Sequence, residues 1–249
     1  MSRIKALALD LDGTLVGTDE RISPGVADAV RRAASVVQVS IVTGRESESL
    51  LSFARELDLT APQVGNNGAL ILDPVSGEAI SSTSMPIETA MLALGPIVDS
   101  GHTFMATHQT EIVRDPNNLD HSELTWITAF DLTYEEADIL DSEVSLHEGL
   151  EVVKAYLPYN GLWAVNFTGS GVNKGTGLKT LCDLIGVEPS EVAAVGDSFN
   201  DLPLLGAAGL PIAMGGAPTE LQNIAHHVVS NVEQDGLVEA IERYVLPSS

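Results

Sequence analysis

Ile4-Lys5-Ala6-Leu7-Ala8-Leu9-Asp10-Leu11-Asp12-Gly13-Thr14-Leu15 is a short apolar run that stops at two carboxylates one residue apart. In a strand, alternate side chains share a face. Asp10 and Asp12 therefore leave the end of one buried strand together. Two like charges so placed are costly unless a cation or a shared proton compensates them. Gly13 then admits a sharp turn that a Cβ would resist. Taken alone, the pattern is equally an acidic turn after a strand.

Outward from this strand, apolar runs alternate with helical patterns. Ser23-Pro24 is a good N-cap and first-turn pair. The helix it opens is followed by a strand over 36–42, a helix over about 46–57 and a strand over 63–66. Segments 69–73 and 77–81 read as a hairpin closed by Pro74-Val75-Ser76-Gly77. The alternation resumes after Phe167, with helices over 175–185, 201–208, 219–225 and 236–244 and strands over 192–195, 210–213 and 227–229. Strands alternating with helices predict an α/β fold, a doubly wound parallel sheet covered on both faces. Between these halves the pattern changes to helices over 87–100 and 135–142 and strand-like pieces over 103–106, 111–113, 152–157 and 162–167. This reads as an inserted α+β unit, 83–167, in a core made of 1–82 plus 168–249.

The 249 residues carry 35 acids against 12 bases, a formal charge of −23. Nucleic acid and anionic membrane surfaces are poor partners for such a chain, because both are bound through basic groups. The apolar stretches are too short to span a bilayer, and Asp10 and Asp12 interrupt the first one too early for a signal peptide. The expectation is a soluble, cytoplasmic protein. Cys182 is the one cysteine and sits among Leu181, Leu184 and Ile185, which reads as packing.

Four segments fall at strand ends or helix starts of the core: Asp10-Leu11-Asp12-Gly13-Thr14, Thr43-Gly44-Arg45, Asn173-Lys174-Gly175, and Gly196-Asp197-Ser198-Phe199-Asn200-Asp201. Open α/β sheets bind ligands beyond the carboxyl ends of their strands. Two acidic clusters there suit a hard divalent cation, and a lysine with a helix N-terminus suits the phosphate oxygens.

In this order the segments resemble the four motifs of the haloacid dehalogenase (HAD) superfamily of phosphohydrolases. The insert, with Asn66-Asn67-Gly68-Ala69 before it, is similar to the cap of the Cof-type, subclass IIB members. The resemblance covers essentially the whole chain. It implies a HAD core with an inserted α+β cap domain and a magnesium ion (Mg2+) as cofactor. It implies Asp10 as the nucleophile and Asp12 as general acid and then base, with its backbone carbonyl on the metal. Thr43 would hold the phosphoryl oxygens and Lys174 would steady nucleophile and phosphate. Asp197 would bind the metal directly, and Asn200 and Asp201 directly or through water. The implied metal set is thus Asp10, Asp12, Asp197, Asn200 and Asp201, and the implied substrate contacts are Thr43, Gly44, Arg45, Asn67 and Lys174. The activity implied is hydrolysis of a small phosphorylated metabolite, sugar phosphate first and phosphoglycolate second, through an aspartyl-phosphate.

Some readings stay open in the sequence. Arg45 is either a local cap or pair, or a phosphate or substrate contact, and Asn67 is either a turn residue or a substrate contact. The run Gly169-Ser170-Gly171-Val172-Asn173-Lys174 lacks the Gly-Lys-Ser/Thr ending of a nucleotide P-loop. The rivals to a phosphatase are a phosphotransferase such as a sugar phosphomutase and a non-catalytic phosphate-ligand-binding protein. The insert is rich in acids, with Arg114 and Lys154 its only Lys or Arg residues. That balance predicts a preference for neutral sugar or polyol monophosphates over bisphosphates, nucleoside polyphosphates and phosphoglycolate.

Overall fold

The computed structural model describes residues 4–119, 123–157 and 159–246. Five parallel strands form the core sheet, in the order His227–Val228, Leu210–Ala213, Val192–Gly196, Ala6–Leu9, Gln38–Ile41. Every residue of Ala6–Leu9 is buried, as a strand covered on both faces must be. Its two faces differ in size. Leu7 and Leu9 enter a large cluster with the helices Pro24–Ala34 and Gly236–Ala240. Ala6 and Ala8 lie in a second cluster with Leu178, Leu181 and Leu204, from the helices Lys174–Ile185 and Leu202–Ala207. Asp10 continues the alanine parity, so the strand delivers it toward the helix that begins at Lys174.

Val42 pairs in parallel with Val64 and so joins the core sheet to an antiparallel sheet of Gln63–Gly65, Leu70–Leu72 and Ala79–Ser82. The last two strands are the expected hairpin. The helix expected over 236–244 is α-helical only through Ala240 and then widens into a π-helix over Ile241–Val245.

The insert folds as a five-stranded antiparallel sheet, in the order Leu150–Leu157, Leu162–Gly169, Trp126–Leu132, Phe104–His108, Glu111–Val113. The strand expected over 162–167 thus runs on to Gly169. The helices Ile87–Asp99 and Tyr134–Val144 cover one face, packing Ala90, Leu94, Ile97 and Leu140 on Ile127, Ala129, Val165 and Phe167. The opposite face hangs over the carboxyl ends of the core strands. One link across the join is buried on both sides, where the Asn66 side-chain amide donates to Thr107 Oγ1 at 2.9 Å.

The sequence predicts no strand between 113 and 152, yet Trp126–Leu132 occupies the centre of this sheet. Its residues from Trp126 to Ala129 are all buried, so no polar alternation marks it. At its far end a register shift and a left-handed Asp131 (φ 60°) interrupt the period. No helix among the described residues is long and apolar enough to cross a membrane.

Two helical glycines give opposite predictions. A Cβ at Gly177 would lie 2.7 Å from the Gly68 Cα and 2.9 Å from Val64 Cγ1, whereas nothing lies within 4 Å of one at Gly206. Gly206→Ala should stabilise the chain by about 0.4–1 kcal/mol through the unfolded state. Gly177→Ala should destabilise it by about 1–3 kcal/mol through overpacking. Denaturant melts of the two variants check the sign of each.

Candidate active site

Lys174 is the first residue of its helix, and Asn173 caps that helix by accepting the backbone N–H groups of Gly175 and Thr176. The Lys174 side chain is fully buried. Its Nζ donates to Asp10 Oδ1 at 2.5 Å and to Asp201 Oδ1 at 2.7 Å. The other oxygen of Asp201 accepts the backbone N–H groups of Asp197 and Ser198, at 3.0 and 3.1 Å. Asp201 is thus the anchor of the loop that carries Asp197. That loop packs against the first turn, since a Cβ on Gly13 (φ 83°) would come within 2.1 Å of Asp197 Oδ2.

Asp10, Asp197 and Asp201 present carboxylate oxygens within 4.8 Å of one another. Among the described residues Lys174 is the one cation bonded to this group, and its bonds go to Asp10 and Asp201. Burial first, and then the charge of Asp201, push the Asp10 carboxyl up to about 7, against the pull of Lys174. Burial and the charges of Asp10 and Asp201 also hold Asp197 well above the usual carboxylate range. Burial disfavours the Lys174 ammonium, but Asp10 and Asp201 outweigh it and raise its pKa. Asp197 Oδ1 is buried without a hydrogen-bond partner. An excess of buried carboxylate oxygens, one of them orphaned, fits a hard divalent cation. Asp10, Asp197 and Asp201 are the residues that would hold it.

Of the expected metal set, Asp12, whose expected contact is its backbone carbonyl, and Asn200 engage their side chains with neighbours. Asp12 takes a bidentate pair from Arg45, at 2.5 Å from Nη2 and 3.0 Å from Nε. Asn200 Oδ1 accepts the Ser198 hydroxyl at 2.5 Å. Arg45 also donates to Glu20 at 2.6 Å, so its guanidinium bridges two acids. This pairing reaches back 25 positions in sequence and leaves no local signal in the chain. Thr43 is buried, and its Oγ1 accepts the backbone N–H of Arg45 at 3.1 Å, which leaves its own O–H to donate. Asn67 is buried in a left-handed conformation (φ 57°), and its Oδ1 has no partner.

A cavity of about 390 Å³ lies between the core strand ends and the cap sheet. Asp10, Asp12, Thr43, Gly44, Arg45, Asp197 and Asn200 are in its core wall; Asn67, Lys174 and Asp201 are not. The sequence reading gives no site role to Glu20, Glu46 or Ser198, which also line the wall, nor to the cap residues Trp126, Thr128, Phe130, Tyr159 and Asn166. Among the described residues no acid of the cap lines the cavity. The expected charge selection by the cap therefore has no basis in this wall. Besides Asp10, Asp12 and Asp197, the acids that line the cavity are Glu20 and Glu46 of the core.

The family model described as haloacid dehalogenase-like hydrolase matches residues 7–143 and 98–241. A 5-amino-6-(5-phospho-D-ribitylamino)uracil phosphatase of Bacillus subtilis is 27% identical over 96% of this chain and 96% of its own length. A phosphoglycolate phosphatase of Methanothermobacter thermautotrophicus is 28% identical over 97% of this chain and 99% of its own. A haloacid dehalogenase-like hydrolase structure from B. subtilis superposes with a TM-score of 0.84, at 21% identity, over 97% of this chain and all (100%) of that one. A HAD subclass IIB sugar phosphatase structure does so with 0.81, at 22% identity, over 96% and 98%.

The raised carboxyls make the metal-free protein pH-sensitive in a definite direction. The folded chain holds a proton on Asp10 that the unfolded chain has already lost above the ordinary value of 3.8. Stability should therefore fall as pH rises from about 4 through about 7. Thermal melts in excess chelator should show this slope. Asp10→Asn should flatten it, and a saturating divalent cation, which takes the place of the proton, should do the same.

Proposed function

The chain belongs to the haloacid dehalogenase-like hydrolases, and from that membership we propose that it is a magnesium-dependent phosphatase of a small phosphate monoester. The observation that carries this reading is Asp10. It stands at the cavity floor, held from behind by a buried lysine and flanked by two further acids.

Asp10 attacks phosphorus, forming an aspartyl-phosphate while the P–O bond to the alcohol breaks. A carboxylate nucleophile divides one hard hydrolysis into two displacements. Asp12 gives the leaving alkoxide its proton and then takes one from the water that attacks the acyl-phosphate, so that inorganic phosphate leaves and Asp10 is restored. Lys174 fixes the Asp10 carboxylate in place. The Thr43 hydroxyl donates to a phosphoryl oxygen, beside the Gly44 backbone. Arg45, gripping both oxygens of Asp12, orients the acid–base carboxyl. Asp10, Asp197 and Asp201 would hold the magnesium ion, which would supply positive charge to offset that of the phosphoryl group.

For the leaving group we favour a neutral sugar or polyol. Glu20 and Glu46 face the space beyond the phosphate, and the nearest cation, Arg45, is already bonded to Asp12 and Glu20. The carboxylate of phosphoglycolate would meet no free cation there. The relatives act, by their names, on a ribityl phosphate and on phosphoglycolate; the first suits this wall better.

A panel of phosphate monoesters read by free-phosphate release tests the reading. Asp10→Asn should lower turnover by at least about a thousandfold in a folded protein, given what loss of a nucleophile costs. Asp197→Ala should weaken magnesium binding and activity together. Full activity in excess chelator would overturn the metal assignment, and near-normal turnover by Asp10→Asn would overturn the mechanism.

A further inference from the structure

Resting on the phosphatase reading above, we propose that Asn66 is a positioning residue, whose side chain sets the cap wall in register over the Thr43-Gly44-Arg45 loop that meets the phosphate. The turn Asn66-Asn67-Gly68 is left-handed throughout, with φ of 50°, 57° and 103°. Its backbone holds the Thr43-Gly44-Arg45 loop. The Asn66 N–H donates to the Arg45 carbonyl and the Asn67 N–H to the Thr43 carbonyl, both at 3.0 Å. Gly68 packs on the start of the lysine helix, since a Cβ there would come within 2.1 Å of the Asn173 carbonyl oxygen. The turn is thus fixed to two core segments that would grip a phosphoryl group. The Asn66 side chain leads the other way, into the cap, through its bond to Thr107. Thr107 lies directly opposite Trp126 of the cavity wall, and its carbonyl accepts the Thr125 N–H at 2.7 Å. Phosphoryl loop and cap wall are therefore joined through two side chains that are both wholly shielded from solvent.

A turn alone does not ask for asparagine here. Glycine takes a positive φ freely, whereas a residue with a Cβ is strained there. Asn66 carries a second penalty, because its Oδ1 is buried with no partner in the protein. Against both stands one bond, the one to Thr107. The chain already tethers the cap to the core at both ends of the insert, so attachment does not need that bond. What it adds is register. A substrate held at Thr43 by its phosphate and at the cap wall by its alcohol must span a fixed gap. A shift of about 1 Å across such a gap is enough to slow an oriented reaction about a hundredfold.

The test is Asn66→Gly, which keeps the backbone N–H and suits the left-handed turn but deletes the bond to the cap. With the best substrate of the monoester panel, kcat/KM should fall at least about tenfold, the scale of a buried hydrogen bond lost with its partner left unpaired. The inhibition constant of inorganic phosphate should change by less than about twofold, because phosphate has no alcohol part to align across the gap. Thr107→Val should reproduce both results, and the double variant should be no worse than either single one. Thr107→Ser keeps the hydroxyl and should restore the parent values. Should Asn66→Gly not fold by thermal melt, Thr107→Val carries the same test. A glycine variant as active as the parent marks Asn66 as a turn residue only and overturns the proposal. Phosphate inhibition weakened as much as kcat/KM overturns it too, since the defect then lies in the phosphoryl loop. Absence of turnover by the parent across the whole panel overturns the phosphatase reading instead. Fluorescence then judges the positioning role. In a Trp163→Phe background Trp126 is the sole tryptophan, and adding Asn66→Gly should make it more open to acrylamide quenching. Unchanged quenching overturns the proposal.

Discussion

The Lys174 ammonium donates to Asp10 and Asp201 at once, and three distant segments of the chain meet through it. Asp10 closes the first strand, Lys174 opens a helix 164 positions later, and Asp201 ties down the loop after Val192–Gly196. Breaking one partner out of a buried ion cluster leaves an uncompensated charge and costs about 3–5 kcal/mol. The cluster is therefore not a free addition to stability, because three carboxylates compete for one cation. In the metal-free chain the raised pKa values of Asp10 and Asp197 let protons relieve the excess, and a divalent cation held by the three carboxylates would take their place. Folding energy and the charge of the candidate site are set by the same four side chains.

The geometry around the cluster follows from close packing. The alanine face of the first strand lets the Lys174 helix approach near enough for a lysine to reach Asp10. Glycines remove the last obstacles. A side chain at Gly13 would strike Asp197, and one at Gly196 would meet Asp201 at 2.6 Å. These contacts make the Asp10 turn and the acidic loop a single packed unit, so neither carboxylate shifts without the other. Positioning of this kind supplies much of the rate in phosphoryl transfer, where the transition state asks for alignment and charge balance.

The core was readable from the chain because its signals are local. Ser23-Pro24 marks a helix start, Gly13 a turn, and the alternation of apolar strands with helices marks the parallel sheet. The acids at strand ends could be named from spacing and from likeness to a known family. What sequence could not show was how those side chains divide their bonds. Asp201 spends its oxygens on Lys174 and two backbone N–H groups, and Arg45 spends its guanidinium on Asp12 and Glu20. Each of those choices is made by the folded backbone. The cap was less legible for a different reason. The segment Trp126–Ala129 is buried on both sides, so the strand that supplies the cavity with Trp126, Thr128 and Phe130 carries no polar period to announce it.

The acids, Thr43 and Arg45 on one side of the cavity come from the core, while the wall opposite them is furnished by a segment that enters and leaves the core between Ser82 and Gly169. Heredity can thus edit one contiguous stretch of the gene and alter what the enzyme recognises without disturbing what it does to phosphorus.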